Sequence, residues 1–210
     1  MPDRLRVADA ARRQASWWLS SVLVVMGCGR PQPPPDGVGT VAPVYDARSG
    51  QMRALNYDGD RDGRTDAVGE VEGTRIVRVL VDDNQDGKPD RWEYYGPDQQ
   101  IQKVGFSTAG DGRENAWSYP AADGSIARVE TAQRSDGKVS RIEHFEHDQL
   151  VRAEEDADGD GRPDRWETYA SGRLVSVAFD DDHRGRATRR ITYRGNGASE
   201  VEVDRAGDGQ

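Results

Sequence analysis

Seven glycines set a regular polar and apolar register along the chain. Gly63, Gly87, Gly112, Gly137, Gly161, Gly185 and Gly209 are spaced by 24, 25, 25, 24, 24 and 24 residues. Eight residues before them stand Leu55, Val79, Val104, Val129, Ala153, Val177 and Val201, and six before them Tyr57, Val81, Phe106, Thr131, Glu155, Phe179 and Val203. Alternation by two puts these side chains on one face of a strand. Eleven residues before the glycines, Met52, Ile76, Ile101, Ile126, Leu150, Leu174 and Ala198 hold a further shared position. After the glycines, Trp92, Trp117, Ile142 and Trp166 share one position, and Tyr95, Phe145, Tyr169 and Tyr193 another, which marks a second, aromatic strand. Turn-forming runs such as Gly96-Pro97-Asp98, Glu146-His147-Asp148 and Ala170-Ser171-Gly172-Arg173 separate the two.

Each unit is therefore an acidic loop, a short aromatic strand, a tight turn and a longer aliphatic strand, and residues 41–57 form a first hairpin without such a loop. A period in the range of about 20 to 50 residues is the signature of a repeat architecture. One hairpin of this size cannot bury its apolar face alone, whereas stacked copies share a continuous one. The pattern predicts an all-β fold of antiparallel hairpin repeats, an elongated or curved meander of about thirteen strands. An open sheet, a solenoid and a propeller are all compatible with this period. With 34% hydrophobic residues and 24 glycines, a thick core is not expected, and ordering by bound metal becomes attractive.

The loops carry the candidate chemistry. The fullest runs from Asp156: Asp156, Asp158, Asp160, Gly161, Asp164 and Glu167 occupy loop positions one, three, five, six, nine and twelve. Asp82, Asn84, Asp86, Gly87, Asp90 and Glu93 repeat the set, as do Asp58, Asp60, Asp62, Gly63 and Asp66, with Gly69 at the twelfth position and Glu70 beside it. So many carboxylates in so short a span repel unless a cation neutralises them, and calcium takes about six to eight oxygen ligands. Aspartate and asparagine also tolerate tight turns without an ion, and for a single Asp-Gly that reading suffices. Three loops bearing the alternating set point to metal.

These loops resemble the EF-hand calcium loop, and their strand flanks make them more similar to the loops of thrombospondin type 3 repeats, dockerins and integrin-type propellers. The resemblance implies calcium as the ligand of strand-loop-strand sites, and covers the loops alone. Ser107, Ala109, Asp111 and Asn115, and Ala132, Arg134, Asp136 and Ser140, are decayed versions. In the loop of Asp180, Asp182, Arg184 and Thr188, a guanidinium stands at the fifth position, where it can pair with Asp180 and Asp182 in place of an ion. The last loop holds Asp204, Ala206, Asp208 and Gly209.

The start of the chain has the layout of a secretory signal peptide: Arg4, Arg6, Arg12 and Arg13, then an apolar run from Trp17 to Met26. That run is shorter than the roughly 20 residues a membrane-spanning helix needs. Val25-Met26-Gly27-Cys28 resembles the bacterial lipobox, which implies cleavage before Cys28 and lipidation of that residue, the chain's one cysteine. Met26 departs from the usual residue at its place. Gly29 is not the aspartate that retains lipoproteins in the inner membrane of enteric bacteria, which points to the outer membrane. Residues 1–27 are read as signal peptide, 28–40 as the lipidated cysteine with a proline-rich tether through Pro31 to Gly37, and 41–210 as the repeat domain.

The formal charge is -9, and no basic stripe suggests nucleic acid. His144, His147 and His183 lack the spacing of a metalloprotease helix, and no nucleophile elbow or phosphate loop accompanies them, so they are read as solvated. The expected protein is a lipid-anchored envelope scaffold or binding module, stabilised by calcium, rather than an enzyme. Its partners would be the membrane, through the anchor, and an envelope protein or polysaccharide. Two rivals stand beside this reading: an envelope hydrolase acting on glycans through paired carboxylates, and a recognition module in which metal is incidental.

Overall fold

The computed structural model describes residues 39–134, 136–195 and 197–204; the signal-peptide, Cys28 and tether expectations, and Ala206, Asp208 and Gly209, lie outside them. The chain divides into two compact units, one ending at Glu114 and one beginning at Asn115. The first contains β1 (Thr40–Tyr45), β2 (Met52–Asp58), β3 (Ala67–Glu72), β4 (Arg75–Val81), β5 (Arg91–Tyr95) and β6 (Ile101–Phe106). The second contains β7 (Ala116–Pro120), β8 (Ile126–Thr131), β9 (Arg141–Glu146), β10 (Gln149–Glu155), β11 (Arg165–Ala170), β12 (Arg173–Phe179), β13 (Arg189–Arg194) and β14 (Gly197–Val203). Within each unit the strands pair antiparallel in chain order. The fold is all-β, with fourteen strands among the described residues where the period suggested about thirteen.

A β-bulge beside the turn recurs in the hairpins. Thr168 pairs with Ser176 while Tyr169 pairs with Leu174, so Val175 is extra. The same slip falls between Glu70 and Val71, Tyr94 and Tyr95, and Thr192 and Tyr193. An inserted residue shifts the side-chain phase by one. This explains a feature of the sequence that strict alternation does not: the apolar positions eleven and eight before each glycine are an odd number apart. In each bulged hairpin the earlier position pairs with the strand partner's last apolar residue, as Leu174 does with Tyr169 and Ile101 with Tyr95.

The registers align residues into rungs across each unit. In the second, one rung runs Thr131, Arg141, Glu155, Arg165, Phe179, Arg189 and Val203, and the next runs Val129, Glu143, Ala153, Glu167, Val177, Ile191 and Val201. Apolar and ionic residues share this face, and both are buried: Val129 and Val177 are 2% exposed, Ala153 0%, Arg141 4% and Glu167 3%. The first unit has the matching rung Tyr57, Ala67, Val81, Arg91 and Phe106, in which all but Tyr57 are buried. Trp92, also buried, lies on the opposite face, between Leu80 and Gly105. The tryptophan and valine ladders thus occupy opposite sides of a thin sheet, while Tyr95 and Tyr169 lie on the valine side beside Glu93 and Glu167. Guanidinium groups cover half-buried rings: Arg128 lies 4.2 Å from the Tyr119 ring centre and Arg189 4.3 Å from that of Phe179.

Candidate metal centre

The acidic loops join each aliphatic strand to the next aromatic one, so within a unit they collect at one end of the sheet, opposite the hairpin turns. Each is closed by its own side chains. At position one, Asp58 Oδ2 accepts from Gly63 N at 3.1 Å, Asp82 Oδ2 from Gly87 N at 2.8 Å and Asp156 Oδ2 from Gly161 N at 3.0 Å. At position five, Asp62, Asp86 and Asp160 accept from the backbone N–H two residues on. At position nine, Asp66 Oδ2 accepts from Gly59 N at 2.6 Å, Asp90 Oδ2 from Asp83 N at 2.9 Å and Asp164 Oδ2 from Ala157 N at 2.8 Å. The carboxylates thereby satisfy backbone donors that the tight turn leaves without strand partners.

The decayed loops keep this network with other acceptors. Ser107 Oγ takes the Gly112 N–H at 3.2 Å, Ser140 Oγ takes that of Gln133 at 3.0 Å, and Thr188 Oγ1 takes that of Asp181 at 2.9 Å. A hydroxyl therefore suffices to shape the turn. What the complete loops add is charge and spare lone pairs, since each ionised carboxylate offers about four acceptor sites. In two loops that surplus converges: carboxylate oxygens of Asp58, Asp60 and Asp66 lie within 4.8 Å of one another, as do those of Asp156, Asp158 and Asp164. Opposite ligands of a calcium ion stand about 5 Å apart, twice the usual bond length. Each triad could hold a metal ion.

Other expected ligands are placed elsewhere. Glu93 and Glu167, at the twelfth position, belong to the buried sheet face. Glu167 Oε2 accepts from Arg141 Nη2 at 2.6 Å and from the Tyr169 hydroxyl at 2.8 Å, while Glu93 is bound by Arg91 and by Tyr95 at 2.6 Å. In a strand-flanked loop, the twelfth residue has already entered the ladder and points along the sheet, whereas in a helix it would turn back. Asp62 and Asp160 serve the turn and stand outside the triads. In the second complete loop, Asn84 Oδ1 accepts from Asp86 N at 2.9 Å, and burial holds the Asp90 carboxyl above its ordinary value.

Neighbouring loops are laced together. Asp82 N donates to Asp66 O at 2.9 Å and Asp180 N to Asp164 O at 2.8 Å. Position four adds a contact that the carboxylate pattern did not reveal. Gln85 Nε2 donates to Asp66 Oδ1 at 2.9 Å and to Asp60 Oδ2 at 3.3 Å, and His183 Nδ1 lies 2.8 Å from Asp158 Oδ2. Each holds a left-handed backbone, φ 58° and 54°, which turns its side chain onto the preceding triad. The signal was present in the register, where Gln85 and His183 share a loop position. His183 is thus more than solvated.

Arg134 reaches the Asp156 triad from the other side, 3.5 Å from Asp156 Oδ2. Burial acts to raise the Asp156 carboxyl, but backbone N–H groups and Arg134 outweigh it and hold the group below its ordinary value. In the Asp180 loop, Arg184 lies 3.5 Å from Asp182 as the sequence suggested, while Asp180 is served by the N–H groups of Gly185 and Arg186.

No protein-family model and no curated protein matches the chain. Among solved structures, it is similar to part of an S. aureus TarM mutant in complex with fondaparinux, alpha-GlcNAc-glycerol and UDP, with a TM-score of 0.38 and 11% identity over 48% of this chain and 19% of that one. A second TarM structure gives 0.37 and 12% over 47% and 18%. Accessory secretory protein 1, 2 and 3 of Streptococcus pneumoniae gives 0.28 and 19% over 58% and 20%. The chain spans about a fifth of the length of these proteins.

Proposed function

We propose that this is a lipid-anchored cell-envelope protein in which calcium, held by the loops, stiffens a β-hairpin repeat used as a scaffold or binding module. The observation that carries the reading is the convergence of three carboxylates in each of two loops at the same repeat positions. Asp58, Asp60 and Asp66 would hold one ion, and Asp156, Asp158 and Asp164 another. All are hard oxygen donors, the set that calcium prefers. A bound ion would cross-link the two ends of a loop and fix the junction between consecutive strands. Lipidation of Cys28 would place the repeat at the outer membrane, with the proline-rich segment from Pro31 to Gly37 as spacer.

The serines of the decayed loops supply the test. Asp58→Ser and Asp156→Ser keep an acceptor for the glycine N–H, as Ser107 does, while removing a carboxylate. Thermal melts in excess chelator and in millimolar calcium should show calcium-dependent stabilisation in the parent and little in the double variant, whose melt in chelator should lie below the parent's because Asp156 also pairs with Arg134. Identical parental melts with and without calcium would reduce the loops to turns. Mass spectrometry of the protein from membranes tests the diacylglyceryl group on Cys28 separately.

A further inference from the structure

Loop position four separates the two triads chemically. Gln85 presents a side-chain amide to Asp60 and Asp66, whereas His183 presents an imidazole nitrogen to Asp158. Turned over, an amide offers a hard carbonyl oxygen of the kind calcium takes. An imidazole nitrogen suits zinc and similar first-row transition ions instead.

The surroundings of the second triad place an ion on the His183 side. Arg134 lies 3.5 Å from Asp156 Oδ2 and donates from Nη1 to Asp156 O at 3.3 Å, so Asp156 already has a cation beside it. The other two members, Asp158 and Asp164, line a cleft together with Phe179, Asp180 and His183. Asp180 is only 5% exposed. Its Oδ2 accepts from the Gly185 and Arg186 N–H groups, but its Oδ1 is buried without a hydrogen-bond partner. A carboxylate oxygen left in that condition is costly unless a further group satisfies it, and a divalent ion in the cleft would do so. Zinc binds nitrogen and oxygen at about 2.0–2.2 Å, so adjacent ligands of one ion stand about 3 Å apart. His183 Nδ1 and Asp158 Oδ2 are 2.8 Å apart, close to that separation.

We propose that the cleft between the Asp156 and Asp180 loops is a zinc-class transition-metal site, held by Asp158, Asp164 and His183 with the buried Asp180 beside them, and that the position-four residue of the following loop sets the metal preference of each triad. The neutral ring, protonated at Nε2, gives its Nδ1 lone pair to the ion. Gln85 leaves the first triad with oxygen donors alone, the set that suits calcium. The inference rests on the reading that the Asp156 loop holds a cation, and assigns that cation's class.

Zinc itself is the probe, added to the chelator-stripped full-length protein in millimolar calcium. With histidine labelled by nitrogen-15, zinc should shift the His183 Nδ1 resonance, identified by its absence from His183→Gln, and leave those of His144 and His147 in place. In equilibrium dialysis, His183→Gln should weaken zinc binding about tenfold or more, at least the loss that an outer-shell partner of a metal brings, while calcium still raises the melting temperature. The His183 side chain is 59% exposed, so circular dichroism should be unchanged. Zinc bound equally well by His183→Gln, or an unmoved His183 resonance, would overturn the proposal and leave the calcium reading standing. Absence of both zinc binding and calcium-dependent stabilisation would overturn both.

Discussion

Arg141 Nη2 lies 2.6 Å from Glu167 Oε2, although the residues are 26 positions and two strands apart. The guanidinium crosses over β10, where Glu155 is the residue opposite Arg141 and Ala153 the one opposite Glu143, and it also meets Glu143 at 2.8 Å and Glu155 at 3.1 Å. One cation thereby ties three successive strands. Burial of Glu167 acts to raise its carboxyl, but the hydrogen bonds from Arg141 and Tyr169 outweigh it and leave the group below its ordinary 4.5. A depressed carboxyl contributes stability that is present above the unfolded value and is lost as pH falls through the folded one. Acid unfolding should therefore begin below about pH 4.5. Glu167→Gln should lower stability near neutrality and flatten this acid limb, as read by urea melts from pH 3 to 7.

Ala153 is fully buried between Glu143 and Glu167 on the rung that Arg141 spans. A larger side chain would fill the space through which the guanidinium reaches. Ala153→Leu should cost about 1–3 kcal/mol through overpacking, and more if the buried charges separate. A variant as stable as the parent in denaturant would show that the bridge does not need that gap.

The same cluster sets an alkaline limit. Burial first, and then the hydrogen bond to Glu167, push the Tyr169 phenol up from 10.0 to about 12. A raised phenol contributes stability that is full below its unfolded value and lost as pH rises through the folded one, here between about pH 10 and 12. Phenolate absorbance should show a late-titrating tyrosine that is missing in Tyr169→Phe. Its disappearance from the parent spectrum would mean that Tyr169 is free to ionise.

Much of this arrangement was legible in the register of apolar residues. Val129, Val177 and Phe106 recur at fixed distances from the loop glycines because each must face the same side of the sheet. The bulges were not legible as such, but left their trace in the odd spacing between Leu174 and Val177. The glutamates misled for a physical reason: Glu93 and Glu167 match a loop template derived from helices, while here their strands rotate them onto Arg91 and Arg141. Gln85 and His183 were overlooked because side chains that cross between loops follow from the stacking of repeats, which no single loop displays.

That stacking can be measured directly. Gln85 joins one loop to the preceding one through Asp66 at 2.9 Å, and Asp66 also accepts the Gly59 N–H. A double-mutant cycle of Gln85→Ala and Asp66→Asn should give a coupling of about 0.5–1.5 kcal/mol in chelator, the net contribution of one hydrogen bond. If Asp58, Asp60 and Asp66 hold calcium, the ion should draw on the same carboxylate and lower that coupling when calcium is added. A coupling near zero in chelator would mean that the loops stand independently and that stiffness passes through the strands alone. A coupling unchanged by calcium would place Asp66 in the turn and outside the cation's shell.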